Sequence, residues 1–425
     1  MELRKHPVFT YKGNALTCGG ISLADIAAEH GTPVFVYSAD ALRKNYQRIR
    51  KAFAAAKPLI AYSVKANSNA AILRVLAAEG AGFDVVSANE MDRVLACGVA
   101  AERIIFAGVG KTTDEMARAL RAGVKEFNVE SPAEADRLDE VARRLKRVAP
   151  VAIRVNPNVD AKTHKFIATG KKENKFGMSL DAARDLACRI GELPGLRLDG
   201  IHAHIGSQIL QAGPHAEAAD ILDTFLATLK ADGHQLRTLN FGGGFGIAYS
   251  GEQQPLDLKP IAATVIGLAK KHGLSLLLEP GRSVIGPTGA LLTSVQYIKR
   301  GSARTFVIVD AAMTELIRPA LYEAHHDILP LVKSKKGEVV TADVVGPVCE
   351  SGDFLAQERE MMLPAQDDLL AVVDAGAYCS AMSSNYNSRT RPAEVLVDDG
   401  KAYLIRRRET KADLTRHEVV PEYLK

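Results

Sequence analysis

The stretch PLIAYSVKAN, residues 58–67, decides how the rest of the chain is interpreted. It reads as a buried strand that ends at a lysine, Lys65. Seven further strand-then-helix units follow, and the eight predicted strands cover residues 59–64, 83–87, 103–107, 126–129, 151–155, 198–204, 237–241 and 275–279. Eight parallel βα units predict an α/β fold, a closed (β/α)8 TIM-like barrel whose chemistry lies at the C-terminal strand ends. Lys65 is therefore a candidate Schiff-base amine.

The pattern changes after EPGR, residues 279–282, into alternating β-rich runs separated by turn residues. Such alternation predicts an antiparallel β domain, either a sandwich or barrel-like. At 425 residues the chain is also too long for one ordinary core. We expect a barrel domain over 36–282 and a β domain built from 283–425 together with 1–35. The N-terminal segment would add a strand to that β domain, because isolated strands before a barrel would leave open edges.

Composition excludes several classes of protein. Hydrophobic residues make up 47% and charged residues 24%, and the formal net charge of +4 is small. The short basic runs at 333–337 and 406–408 are typical of solvated surface, so we expect no nucleic-acid partner. There is no signal-like N-terminus and no 18-residue apolar run, so we expect no membrane association. Five scattered cysteines without a CxxC pair favour a reducing compartment, the cytoplasm.

Two motifs follow the last predicted strands of the barrel. The triplet GGG at 242–244 lets the backbone approach a ligand and offers N–H groups to an anion, although a flexible turn would look the same. This is the usual phosphate seat of the barrel. Glu279 would project into the barrel mouth, where a buried carboxylate needs a partner. That partner is either a protonated pyridine nitrogen or simply Arg282.

Histidines and a carboxylate occupy other strand ends. His202 and His204 are two residues apart and would share a strand face, but they have no acidic third ligand, so we expect no metal. His204 instead suits a flat ring that packs on a flat cofactor, with Ser207 adding a donor to a phosphate. Asp84, on the strand beside that of Lys65, either orients a neighbour or caps a helix.

Reactive side chains also cluster in three segments of the second domain, where connecting loops are expected. These are RPALYEAHH (318–326), GPVCESGD (346–353) and GAYCSAMSSNYN (376–387). Binding residues concentrate in loops. The CESGD segment places a thiol beside a carboxylate, which suits a proton donor and an amine partner, although a plain turn is the alternative.

Together these motifs resemble the fold-type III, alanine-racemase-like pyridoxal-phosphate enzymes, and within them the diaminopimelate decarboxylase family, over nearly the whole chain. The resemblance implies that Lys65 forms the Schiff base, that His204 stacks on the pyridine ring and that Glu279 meets the ring nitrogen. The cofactor is then pyridoxal 5'-phosphate. The implied cofactor-binding residues are Lys65, Asp84, His204, Ser207, Gly243, Gly244, Glu279, Gly281, Arg282 and Tyr378.

The same resemblance implies an activity, the decarboxylation of meso-2,6-diaminopimelate to L-lysine and CO2, the last step of lysine biosynthesis. Cys349 would be the catalytic proton donor. A racemase of this fold would place an arginine against the ring nitrogen, so Glu279 favours decarboxylation. The resemblance further implies a homodimer in which CESGD of one subunit completes the active site of the other. The implied substrate-binding residues are Arg282, Arg318, Tyr322, Glu350 and Tyr378.

Three alternatives stay open at this stage. They are a decarboxylase of ornithine, arginine or another basic amino acid, a non-catalytic pyridoxal-phosphate carrier, and a barrel that uses Lys65 as an aldolase lysine. The segment RPALY argues against the first, because only a substrate with a distal carboxylate requires a fixed cation. Segments 163–170 and 175–178 also resemble the decarboxylase family. Asn89 and Asn174 depart from its usual glycine and serine, which affects fine geometry.

Overall fold

The computed structural model describes residues 4–160, 175–334 and 337–425. By their contacts, the residues group into two compact units. A barrel unit comprises Leu42–Ala248 and Gln254–Ile285. A β-rich unit comprises the N-terminal residues as far as Ala41, the short insertion Tyr249–Gln253, and Gly286–Lys425.

The chain begins with a small antiparallel sheet, a helix and a longer strand. Strands β1 and β2 pair with each other, and β2 pairs with β3. A helix covers most of the segment SLADIAAEHG, and a strand covers most of PVFVYS. These first elements are β1 (Phe9–Lys12), β2 (Ala15–Cys18), β3 (Ile21–Ser22), α1 (Leu23–His30), β4 (Val34–Ser38) and α2 (Ala39–Ala52).

Eight parallel strands form a closed barrel in which spatial order follows chain order. The last strand closes on the first, with Leu277 opposite Leu59. The predicted (β/α)8 barrel is therefore confirmed, and the predicted strands differ from the observed ones only at their ends. The barrel strands are β5 (Leu59–Ser63), β6 (Gly82–Val85), β7 (Ile104–Phe106), β8 (Glu126–Val129), β9 (Ala149–Val155), β10 (Leu196–Ala203), β11 (Thr238–Asn240) and β12 (Ser275–Leu278).

Most helices of the barrel unit begin at side-chain caps encoded in the sequence. Ser87 accepts from the N–H of Glu90, and Thr112 with Glu115 forms a reciprocal capping box. Each cap fixes where a helix starts and so how long the preceding strand-end loop is. Among the residues described, none of the helices combines the length and the apolar character needed to cross a membrane. The helices are α3 (Ala70–Ala78), α4 (Ala88–Leu95), α5 (Thr113–Ala122), α6 (Pro132–Arg144), α7 (Leu180–Ile190), α8 (Gly213–Ala231), α9 (Leu258–His272) and α10 (Arg282–Ile285).

The interior of the barrel is packed with side chains. Ala61, Ile105 and Leu277 form a buried cluster contributed by three strands. Gly200 is required by close approach, since a Cβ atom there would lie 2.0 Å from Oγ1 of Thr238. A packed interior leaves the strand ends as the place where polar side chains can meet a ligand.

The β-rich unit contains a sheet of nine strands, in the order β17-β16-β14-β13-β4-β19-β20 with β18 pairing β13 and β15. Strand β4 lies between β13 and β19, which confirms that the N-terminal segment contributes a strand. The sheet is mostly antiparallel, but β14–β16 and β4–β19 are parallel, because long connections separate these partners. The elements are β13 (Gly289–Arg300), β14 (Thr305–Val309), α11 (Arg318–Tyr322), β15 (Ile328–Pro330), β16 (Val339–Val345), β17 (Phe354–Met362), β18 (Leu369–Val372), β19 (Ala393–Asp398), β20 (Lys401–Arg406) and α12 (Lys411–Thr415).

One face of that sheet supplies the core of the β-rich unit. Alternate residues of β4, β13 and β19 belong to this core, because successive side chains of a strand point to opposite faces. The contributing residues include Val34 and Val36 of β4, Ala290 and Leu292 of β13, and Ala393, Val395 and Val397 of β19.

Candidate active site at the strand ends of the barrel

Lys65 lies just beyond the C-terminal end of β5, in a single helical turn. Its Nζ atom is 3.0 Å from Oδ2 of Asp84, a residue of β6. The hydroxyl of Ser63 lies 2.8 Å from the same oxygen. The Lys65 side chain is 39% exposed whereas Asp84 is buried. Asp84 therefore orients the lysine, and Ser87, not Asp84, caps the helix that follows.

The environment of Asp84 raises the pKa of its carboxyl. Burial raises the pKa of this carboxyl, the positive charge of Lys65 partly opposes the rise, and the nearby Glu279 adds to it. The second oxygen, Oδ1, is buried and has no hydrogen-bond partner among the described residues. Asp84 thus combines high proton affinity with a spare acceptor close to the lysine amine.

Glu279 follows β12 and is buried at the barrel mouth. Its Oε1 accepts hydrogen bonds from the side-chain amides of Asn240, at 2.7 Å, and Asn128, at 3.0 Å. Its Oε2 lies 3.1 Å from Nε2 of His202. Three strands, β8, β10 and β11, therefore direct polar side chains at one carboxylate.

These neighbours decide the charge of Glu279. Burial alone would raise the pKa of the carboxyl, but His202, Lys65 and the Asn240 amide outweigh it and hold the pKa well below its ordinary range. Glu279 is therefore ionised at neutral pH. It also makes no ion pair with Arg282 among the described residues, so the alternative in which those two side chains satisfy each other is wrong.

Sequence reasoning missed the residues that support Glu279. His202 was considered only as a possible metal ligand, and neither Asn128 nor Asn240 was singled out. The available signal was an asparagine within a strand of otherwise apolar residues, in EFNV and TLN. A polar side chain that points into a packed barrel needs a partner.

His204 lies just past β10 with its ring partly exposed. Its Nδ1 accepts a hydrogen bond of 3.2 Å from the backbone N–H of Gly243. Burial, together with the charges of Arg154 and Lys65, lowers the pKa of His204 well below its usual value. The ring is therefore neutral, and because Nδ1 accepts, the proton is on Nε2.

The glycine triplet after β11 lies where a side chain would collide with neighbouring backbone. Gly242 and Gly244 have φ angles of +64° and +89°. A Cβ atom on Gly243 would lie 2.2 Å from the carbonyl oxygen of Glu279, and one on Gly244 would lie 2.5 Å from that of Gly206. The close packing agrees with a loop that brings its backbone against a ligand.

Ser207 and Arg282 meet beside this loop. Nη2 of Arg282, the first residue of α10, lies 3.0 Å from the hydroxyl of Ser207. Gly281 precedes Arg282, and its carbonyl accepts from the N–H of Val284 at 3.0 Å. The expected phosphate-side residues therefore gather on loops that follow neighbouring strands.

The barrel residues fit pyridoxal phosphate. Lys65 offers an amine for the aldehyde of the cofactor, and Glu279 offers an ionised carboxylate for the pyridine nitrogen. His204 offers a neutral flat ring for the face of the pyridine. The spare Oδ1 of Asp84 is a buried acceptor that has no donor among the described residues. Tyr378, the remaining residue of the expected cofactor set, lies in the β-rich unit.

Residues expected to contact the substrate lie in loops and a short helix of the β-rich unit. Arg318 and Tyr322 are the ends of α11, and Arg318 is buried. Cys349 and Glu350 are exposed after β16, where the N–H of Cys349 donates to Oδ1 of Asn387 at 2.9 Å. Tyr378 follows β18 and has a φ angle of +58°.

Only part of the sequence between residues 163 and 178 lies within the described residues. Residues 163–170 and Asn174 lie outside the described part of the chain. In the segment 175–178, the N–H of Gly177 donates to Glu130 at 2.7 Å, and Glu130 also pairs with Arg154 at 2.5 Å. Asn89 is on an exposed face of α4, so that departure from the family does not disturb the packed strand ends.

Comparisons with known proteins show which family the chain belongs to. Residues 39–286 match the family model described as the pyridoxal-binding domain of pyridoxal-dependent decarboxylases. The diaminopimelate decarboxylase of Vibrio cholerae is 46% identical over 95% of this chain and 96% of that protein. That of Pseudomonas aeruginosa is 47% identical over 96% of this chain and 97% of that protein.

A solved structure extends the similarity to the whole chain. The diaminopimelate decarboxylase of M. jannaschii, in co-complex with L-lysine, superposes with a TM-score of 0.94 at 36% identity. The match covers 100% of both chains. The matches span the barrel and the β-rich segments alike, and the chain belongs to the diaminopimelate decarboxylase family of pyridoxal-dependent decarboxylases.

Proposed function

We propose that this protein decarboxylates meso-2,6-diaminopimelate to L-lysine and CO2 with pyridoxal phosphate as cofactor, as the last step of lysine biosynthesis. The observation that carries the proposal is near-full-length similarity to diaminopimelate decarboxylases, at 46% identity over 95% of the chain. The ionised Glu279 supports the reaction type, since decarboxylation requires a strong electron sink.

The barrel residues hold the cofactor in this proposal. Lys65 binds it through Nζ, and Asp84 orients that amine from 3.0 Å. His204 packs its neutral ring on the cofactor face. The remaining contacts with the phosphate and its surroundings come from Ser207, Gly243, Gly244, Gly281, Arg282 and Tyr378.

Glu279 controls the electronics of the reaction. When bound, pyridoxal phosphate supplies the sink for the electron pair that CO2 leaves at Cα. Glu279 keeps a proton on the pyridine nitrogen, because its own pKa is held too low for it to take that proton. The donors from Asn128 and Asn240, with the ring of His202 beside them, hold the carboxylate in one orientation, so no reorganisation is needed as charge develops.

The β-rich unit supplies substrate recognition and the proton. Arg282, Arg318 and Tyr322 hold the carboxylate that is retained, and Glu350 meets the distal ammonium. Tyr378 contacts substrate as well as phosphate, and Cys349 delivers the proton to Cα. In this proposal residues 36–282 are the cofactor-binding domain, while 1–35 and 283–425 form the domain that carries the substrate loops.

The assembled protein is a homodimer with shared active sites in this proposal. Cys349 and Glu350 of one subunit complete the site of the other, which suits their exposure on a loop. The protein acts in the cytoplasm, in keeping with five cysteines that are all free.

The test combines a spectrum with a substrate panel. Purified protein supplied with pyridoxal phosphate should show the absorbance band of the lysine-bound cofactor, and Lys65→Ala should lose it. Meso-diaminopimelate should yield CO2 and L-lysine, whereas ornithine and arginine should yield little CO2. Turnover of ornithine or arginine in preference would reassign the substrate, and absence of the band in the wild type would remove Lys65 from its role.

Shared sites are tested by mixing inactive chains. Lys65→Ala and Cys349→Ala carry their defects in different regions, so a mixed dimer would contain one intact site. Co-expression with two affinity tags and tandem purification should give a heterodimer that regains part of the activity. A purified heterodimer as inactive as either parent would contradict the shared site.

A further inference from the structure

Arg318 has an unusual partner for a buried arginine. Its side chain is buried, and Nη1 lies 2.7 Å from Nε2 of His326. The guanidinium carbon also lies 4.5 Å from the centre of the Tyr249 ring. Among the described residues no carboxylate pairs with Arg318, and its Nε is buried without a hydrogen-bond partner. The neighbours thus position this cation without neutralising it.

The chemistry of the contacts fixes the state of His326. Its Nδ1 is 2.8 Å from the carbonyl oxygen of Val373, which can only accept, so Nδ1 carries a proton. A guanidinium can only donate, so Nε2 must be the unprotonated nitrogen that receives the Arg318 bond. His326 is therefore a neutral ring of one defined tautomer, and it is fully buried.

A second arginine of the same unit shows the contrast. Arg4 contacts two carboxylates, Asp374 at 2.7 Å and Asp327 at 3.0 Å, and its charge is compensated within the protein. Arg4 also donates to the backbone carbonyl of Tyr249 at 2.9 Å, which anchors the segment whose ring packs on Arg318. Carboxylates compensate the charge of Arg4, whereas Arg318 has no carboxylate partner among the described residues.

We propose that His326 is a positioning residue for substrate recognition. By accepting from Nη1 as a neutral ring, it turns the Nε–Nη2 edge of Arg318 toward the distal carboxylate of the substrate and leaves the positive charge uncompensated. That edge is one of the two forks through which a guanidinium binds a carboxylate with two parallel hydrogen bonds. The inference deepens the proposed function and rests on Arg318 as the carboxylate ligand.

The experiment separates positioning from folding and from chemistry. His326→Phe keeps an aromatic ring against Tyr249 but removes the acceptor, whereas His326→Gln offers both an acceptor and a donor. We expect His326→Phe to raise KM for meso-diaminopimelate about 10- to 100-fold with kcat within about threefold, from a lost charge-assisted bond. His326→Gln should recover most of the loss. His325→Gln, an exposed neighbour, is the matched control and should match wild type.

Inhibitor binding gives the sharper readout. L-lysine retains the distal carboxylate, and cadaverine has none. His326→Phe should weaken inhibition by L-lysine by the same factor as KM, while inhibition by cadaverine stays within about twofold. Equal weakening of both inhibitors, or no weakening of either, overturns the proposal. If His326→Phe does not fold, His326→Leu, which also lacks an acceptor, takes its place.

Failure of this inference is distinct from failure of the proposed function. Wild-type protein is first assayed with meso-diaminopimelate, and absence of turnover there would refute the function itself. If the wild type turns over and His326→Phe has unchanged KM and unchanged lysine inhibition, only the role of His326 is refuted.

Discussion

Two buried glutamates at opposite ends of the same barrel have opposite electrostatics. Glu279 follows β12 at the C-terminal end, where its pKa is held far below the ordinary value. Glu126 begins β8 at the N-terminal end, where burial raises its pKa to about 7, offset in part by Thr238 and Lys125. Both carboxyls are almost fully removed from solvent, so burial does not distinguish them.

The difference lies in the polar side chains around each carboxylate. Asn128, Asn240 and His202 surround Glu279. Glu126 lies 3.0 Å from the hydroxyl of Thr238, and its Oε1 is buried without a hydrogen-bond partner among the described residues. The barrel thus keeps a charge at the end where chemistry occurs and suppresses one at the end that supports the fold.

Replacing each glutamate by glutamine should show the difference between the two ends of the barrel most clearly. Glu279→Gln removes the charge that keeps the pyridine nitrogen protonated, and we expect kcat to fall about 10²- to 10³-fold. Glu126→Gln, its matched control, should leave kcat within about twofold, because this carboxyl binds neither cofactor nor substrate. Steady-state rates of CO2 release measure both. Similar losses in the two variants would show that buried charge in general, not its position, matters.

Removal of one hydrogen-bond donor should raise the pKa of Glu279 part of the way toward that of Glu126. Asn240→Leu deletes the 2.7 Å bond to Oε1 and the contact from Oδ1 to the N–H of Gly242. We expect kcat to fall about 10-fold. The pKa of Glu279 is depressed, so losing a donor raises it, and activity should decline at a higher pH on the acidic side of the profile. Asn89→Leu, on an exposed helix face, is the control, and an unshifted acidic limb would contradict the role of Asn240.

Glu126 should affect stability rather than activity. Its folded-state pKa of about 7 lies above the ordinary 4.5, so between these values the folded protein holds a proton that the unfolded chain has released. The contribution of Glu126 to stability therefore declines as pH rises through this window. Glu126→Gln cannot ionise, so its free energy of unfolding relative to wild type should increase by about 1–3 kcal/mol from pH 5 to pH 8. Thermal melts of both proteins at the two pH values measure this difference, and a constant difference would argue against a raised pKa.

The smallest effect is expected from removing the single hydrogen-bond donor to Glu126 at the N-terminal end of the barrel. Thr238→Val keeps the shape and removes the hydroxyl that lies 3.0 Å from Glu126. We expect a loss of about 1 kcal/mol in stability and no change in kcat. In a Glu126→Gln background the loss should differ, because the two residues interact, and additive effects in this double-mutant cycle would refute the coupling.

Much of the fold follows from local sequence pattern. Eight strand-then-helix units and side-chain caps such as Thr112 with Glu115 are each local regularities. Lys65 and Glu279 could also be predicted from local sequence. A polar residue at the end of an apolar strand can be recognised without knowing which residue it contacts. These features were predictable because each depends on neighbours a few residues away.

The partners of those residues were settled only by tertiary structure. Closure of the barrel decides which strands lie side by side. It therefore decides that Asp84 contacts Lys65 and does not cap a helix. It also decides that Glu279 pairs with Asn128 and Asn240 and not with Arg282. The parallel pairing of β4 with β19 likewise joins segments more than 350 residues apart in the chain. The sequence by itself determined which groups can ionise, donate or accept. The fold determined which of them meet in a dry interior, and therefore which carboxylate keeps its charge.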